Sequence, residues 1–185
     1  AALLDLDAFG AAYGYTIDGG PLGEFCYETF NAAEVHVQAT GLSVHTGTAK
    51  GIMINAAEAL MRFHQLLPPQ DRPEYTEGYD GFFYLERMQG DCEYAQADYI
   101  IRDHDQKKVE KRKQMMRDAV SYINYQLDSE VLTISVKDQY HNLADVITRP
   151  ENEHLIENAR VAYAAIGQEM TCIPMRGGTD EIGRA

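Results

Sequence analysis

Ala33-Glu34-Val35-His36-Val37-Gln38-Ala39 alternates apolar and polar residues without a break. A period of two is the mark of a strand with one face packed and one face wet. Downstream, Gly51 to Leu67 places apolar residues at Ile52, Ala56, Leu60, Phe63 and Leu67. That helical spacing ends at Pro68-Pro69, which cannot continue a helix. A proline-, acid- and glycine-rich loop is expected over Gln70 to Asp80. Two strands follow, Phe82–Met88 and Glu93–Arg102, with Gln89-Gly90-Asp91 as the turn between them. Asp105 to Leu127 returns to helical spacing through Val109, Met116, Val120, Ile123 and Leu127, and Val131 to Lys137 alternates again. The basic run from Lys107 to Lys113 reads as a solvated helix face.

Strand–helix–strand–strand–helix–strand is the split βαβ order. It predicts an α+β, ferredoxin-like unit: a four-stranded antiparallel sheet with both helices on one side. The far sheet face and both edges would stay open, and an open edge invites pairing with a second copy. A homodimer is therefore expected. Outside this unit, residues 1–14 are rich in alanine and glycine and read as a strand end or a frayed terminus. Pro150 to Ala165 is expected as a third helix, with Pro150 in its first turn and Gly167 after its end. Met170–Ile173 is a short apolar strand outside the split βαβ count. The resulting division is 1–23 and 146–185 as pieces of a flanking α/β domain, and 24–145 as the ferredoxin-like domain.

The 185 residues allow one domain with a real core, or a domain plus part of another. A formal net charge of -13 argues against nonspecific binding to nucleic acid or to an anionic membrane surface. No apolar run reaches the length of a membrane span, and no secretory leader pattern is present. Cys26, Cys92 and Cys172 are scattered and odd in number, which favours reduced thiols and a cytoplasmic protein.

Few residues stand out for chemistry. Asp18 precedes Gly19-Gly20 after a strand-like segment; it is either a metal ligand at a strand end or an ordinary turn. His45 lies in the polar loop Ser43 to Gly51, read either as an anion-binding loop before a helix N-terminus or as a surface histidine. Arg102 at a strand end and Arg176 before Gly177-Gly178 are either carboxylate anchors or surface ion pairs. His36 is expected to face outward, and His64, His104, His141 and His154 to be structural. Nucleophile elbows, phosphate loops and Cys-x-x-Cys pairs are missing.

Six short segments occur in order: Thr16-Ile17-Asp18-Gly19-Gly20, Phe30-Asn31-Ala32-Ala33, His45-Thr46-Gly47-Thr48-Ala49-Lys50-Gly51, Thr76-Glu77-Gly78-Tyr79, Tyr99-Ile100-Ile101-Arg102-Asp103 and Arg176-Gly177-Gly178-Thr179-Asp180. Together the chain resembles the peptidase T family, tripeptide aminopeptidases of the two-zinc exopeptidase group, from about Phe9 to Asp180. The resemblance implies a lid and dimerisation domain inserted in a hydrolase with two zinc ions per active site. It makes Asp18 a zinc ligand and His45 the lid histidine that reaches the partner subunit's active site. Arg102 and Arg176 become anchors for the C-terminal carboxylate of a tripeptide substrate, and Asn142, in Asp138-Gln139-Tyr140-His141-Asn142, a further substrate contact. Thr46 departs from the proline usual after the lid histidine. The other metal ligands and the catalytic glutamate of that family are missing, so the chain is expected to be an inactive segment of the longer enzyme. The alternative is a stand-alone ferredoxin-like binding module without catalysis.

Overall fold

The computed structural model describes residues 8, 10–17 and 20–178. In chain order the elements are β1 (Glu24–Glu28), β2 (Asn31–Thr40), α1 (Ala56–Leu66), β3 (Phe82–Gly90), β4 (Tyr94–Asp103), α2 (Gln106–Leu127), β5 (Leu132–Tyr140), α3 (Ala144–Ile147), α4 (Glu153–Ala165) and β6 (Thr171–Pro174). They fall into two compact units: Phe30–Asn142, and the two flanks of the chain taken together.

The unit Phe30–Asn142 holds a four-stranded sheet in the order β3-β4-β2-β5, antiparallel throughout. Placing the first strand in the centre, beside the third and fourth, is the split βαβ arrangement that the strand and helix periods predict. Alternation decides the faces. Val35, Val37 and Ala39 on β2 and Ala95, Ala97, Tyr99 and Ile101 on β4 point to one side. They meet Leu60 and Phe63 of α1 and Val109, Met116 and Ile123 of α2 in a single buried cluster. Small residues in the strands leave room for the large helix side chains, as close packing requires. The opposite face carries Glu34, His36, Gln38, Gln96 and Asp98, so it is polar.

Three element boundaries differ substantially from the sequence reading. The first helix begins at Ala56 instead of Gly51, because Ile54 is held in an antiparallel bridge to Leu42 and Asn55 caps the helix. The Asn55 side chain accepts from the Glu58 N–H at 3.2 Å, so Asn55→Ala should cost about 1 kcal/mol. That lowers the melting midpoint by a few degrees, readable by circular dichroism. The last strand of the sheet runs on to Tyr140, because a bulge opposite Ala32 and Ala33 breaks the alternation before the strand ends. The third helix starts at Glu153, with Pro150 in the turn that follows the short helix α3. There the Asn152 N–H donates to the Arg149 carbonyl at 2.8 Å, closing a turn that the sequence reading had placed inside the helix.

In the other unit β1, which the sequence reading did not anticipate, pairs in parallel with β6. The Tyr163 hydroxyl on α4 donates to the Glu24 carbonyl at 2.8 Å. Gly167, at φ 72°, ends α4 by letting its N–H and that of Gln168 return to the Ala164 and Tyr163 carbonyls.

Candidate functional site

His45 follows β2 on an exposed loop whose base is pinched shut. The Leu42 and Ile54 backbones exchange hydrogen bonds of 2.8 and 3.0 Å there. Gly41 makes the pinch possible: a Cβ at that position would lie 2.1 Å from the Cys92 carbonyl oxygen and 2.5 Å from that of Ile54. His45 itself caps the 3-10 turn Thr46–Thr48, its Nδ1 accepting from the Gly47 N–H at 3.2 Å. An accepting Nδ1 places the proton of the neutral ring on Nε2. The loop therefore presents an exposed Nε2–H donor. It is not a helix N-terminus, since α1 starts well beyond Gly51. The anion-binding reading loses its helix dipole and keeps only the imidazole donor.

Arg102 sits at the other end of the sheet. The row Phe82, Arg102, Ala32, Tyr140 crosses β3, β4, β2 and β5 in register. Ala32, the smallest member, lies between the two long polar side chains. Both are half-buried, and neither the Arg102 Nε nor the Tyr140 hydroxyl has a hydrogen-bond partner among the described residues. Burial pushes the Tyr140 phenol up from its ordinary pKa, and the nearby Arg102 charge partly opposes that rise. Two unspent donors side by side suit a carboxylate, which accepts on both oxygens. Tyr140 was absent from the sequence candidates because the bulge disguised it as a loop residue.

Asn142 follows Tyr140 by two residues, and its amide donor is already engaged. It is buried, and its Nδ2 donates to the His104 carbonyl at 3.1 Å. Its backbone N–H donates to Asn31 Oδ1 at 2.8 Å, while Asn31 Nδ2 donates to the carbonyls of Asp103 and His104 at 3.2 and 3.0 Å. The two asparagines thus clamp the start of β2 to the chain ends that follow β4 and β5. Asn31, missed by the sequence reading, belongs to this clamp.

The His45 loop and Arg102 stand at opposite ends of β2. The stretch of β2 from Ala32, which pairs with Arg102, to Thr40 alone spans about 27 Å. Arg176 follows β6 in the flanking unit. Asp18 lies outside the described residues. Among the described residues no three His, Cys, Asp or Glu side chains converge to hold a metal ion. They do not fit a zinc centre, and no catalytic step through zinc follows from them. On the polar sheet face His36 is half-buried, its Nδ1 2.5 Å from Asp98 and its Nε2 2.8 Å from Gln38 Nε2.

The sequence profile of the peptidase dimerisation domain matches residues 27–128. Curated relatives named peptidase T include those of Alkaliphilus oremlandii, at 42% identity over 95% of this chain, and Lysinibacillus sphaericus, at 45% over the same share. The chain spans 42% of the length of each of these relatives. Two solved structures share the fold: an aminopeptidase PepT from Bacillus cereus (TM-score 0.75, 20% identity) and a tripeptidase from Staphylococcus aureus (TM-score 0.73, 17% identity). Each alignment covers 97% of this chain, and 47% and 46% of those chains respectively. With sheet order, helix placement and sequence in agreement, this chain belongs to the peptidase dimerisation domain family.

Proposed function

We propose that this chain is the lid and dimerisation segment of an aminopeptidase that releases N-terminal residues from tripeptides. The observation that carries the reading is the separation of His45 from Arg102 at opposite ends of one sheet. A lid so built serves two sites at once. Its Arg102 end faces one active site, and its His45 loop reaches the site of a second copy related by a two-fold axis.

In each site Arg102, with Tyr140 beside it, holds the substrate's terminal carboxylate and so selects short peptides with a free C-terminus. Arg176 of the flanking unit is a second anchor for the same carboxylate. Asn142 acts as a clamp that sets the Arg102 end of the sheet. The Nε2–H of the partner copy's histidine donates to the oxyanion that develops on the scissile carbonyl. Under the same reading 24–145 is the lid, and 1–23 and 146–185 belong to a catalytic domain. Asp18 is then one ligand of the two zinc ions of the longer enzyme, and the other ligands come from sequence beyond this chain. The scattered, odd-numbered cysteines support a cytoplasmic setting.

Self-association is the direct test. Sedimentation velocity on this chain at micromolar concentration should show a species of twice the 20.8 kDa protomer mass. A strictly monomeric chain up to millimolar concentration would remove the second copy on which the reading depends.

A further inference from the structure

The Phe30–Asn142 unit holds a cavity that the sites above do not use. It lies between the end of α1, the loop after Pro68 and the edge strand β3, and its volume is about 250 Å³. Leu67, Pro73, Phe83 and Leu85 supply apolar walls, and Arg72, His64 and Tyr99 supply the polar end.

The polar end has a fixed direction. Arg72 Nη2 lies 3.3 Å from His64 Nε2, and His64 Nδ1 lies 3.1 Å from the Tyr99 hydroxyl. A guanidinium only donates, so Nε2 must accept. The neutral ring then carries its proton on Nδ1 and donates it to the Tyr99 oxygen. The phenol's own proton is left over, with no acceptor among the described residues. Tyr99 is 2% exposed, its ring held edge-on against Phe63, so it cannot turn to bulk water. Burial and the Arg72 charge both hold the His64 pKa below its ordinary value, which keeps the ring neutral. The result is a buried O–H donor and a guanidinium at the mouth of an apolar recess.

We infer that this cavity binds a small carboxylic acid with an apolar body, its carboxylate held by the Tyr99 hydroxyl and the Arg72 guanidinium. Two donors of this kind suit one carboxylate. The volume, below the range of about 300–1,000 Å³ for drug-sized ligands, limits the occupant to the size of an amino acid. Glu74, exposed at the rim, is the one carboxylate among the lining residues. The inference does not depend on the peptidase reading, since none of these residues belongs to the Arg102 or His45 ends.

The test is a calorimetric and NMR titration of this chain with 4-methylpentanoate, and with 4-methylpentanamide, which has the same apolar body and lacks the carboxylate. Saturable millimolar binding of the acid is expected, with shifts centred on Leu67, Phe83 and Tyr99, and none for the amide. Tyr99→Phe and Arg72→Gln should each weaken binding by at least about tenfold, the loss expected for a hydrogen bond to a charged group. Arg72 lies on a loop, so its variant keeps the test open if Tyr99→Phe fails to fold. No saturable binding of the acid, equal binding of the amide, or full affinity in the folded variants would each overturn the assignment.

Discussion

On the proposed reading, the variants His45→Ala and Arg102→Ala of an aminopeptidase that contains this chain should restore each other when their subunits are mixed and allowed to exchange. Each variant alone is expected to lose about 10²- to 10³-fold in kcat/KM, the cost of removing an oxyanion donor or its equivalent in substrate anchoring. In the mixed dimer one site receives the intact arginine of one subunit and the intact histidine of the other. Its second site lacks both. Random exchange makes half of the dimers mixed, so activity should recover to about a quarter of the unmutated enzyme. The geometry supports this outcome if both residues act: about 27 Å of β2 lies between the row of Arg102 and Thr40, where the chain leaves for the His45 loop. Recovery no greater than either parent shows would mean that both residues serve one site from one subunit, and the trans arrangement would fall.

Arg112→Ala should unfold the Phe30–Asn142 unit more readily than any surface change. Its guanidinium donates to Asp103 Oδ2 at 3.1 Å, Asp71 Oδ2 at 2.9 Å and the Gly81 carbonyl at 2.9 Å, and it lies over the Phe83 ring. Asp103 is 1% exposed, so truncating the arginine strands a carboxylate away from water. Breaking such a pair costs about 3–5 kcal/mol, whereas the exposed Arg160–Glu157 pair is worth at most about 1 kcal/mol. Gly81 shows how tightly the node is built: a Cβ there would lie 2.1 Å from Asp103 Oδ2. Chemical denaturation of the chain should show the Arg112→Ala loss in full, with an Arg160→Ala control nearly unchanged. Equal, small losses in both would mean that solvent reaches Asp103 and the node is not a true buried pair. Because Asp103 adjoins Arg102, the same substitution should also loosen the Arg102 end of the sheet.

The unit Phe30–Asn142 was legible wherever one face of an element is buried. Val35-His36-Val37 and Ile134-Ser135-Val136 alternate because one side of the sheet is covered, and Leu60, Phe63, Met116 and Ile123 repeat because one side of each helix is. Legibility failed where a local hydrogen bond overrode the period. Ile54 looks helical by spacing but is held by Leu42, and Tyr140 looks like loop because the bulge shifts its phase. Strand β1 escaped notice because its partner β6 lies far along the chain, and a short parallel pair leaves no local pattern.

Among the candidate residues, the ordered motifs contain Asp18, His45, Arg102 and Arg176, and the resemblance added Asn142, but side-chain identity carries no information about distance. By itself the sequence determined the element types of the Phe30–Asn142 unit and their order, because periodicity is a local property of a chain, and its ordered motifs carried the family resemblance. Only the tertiary structure decided that Arg102 and Tyr140 share a row, that Asn142 spends its amide on a clamp, and that His45 stands at the far end of the sheet. It alone left the Tyr99 proton facing an apolar recess. Register and hydrogen-bond direction arise between strands and side chains distant in sequence, so they exist only once the chain has folded.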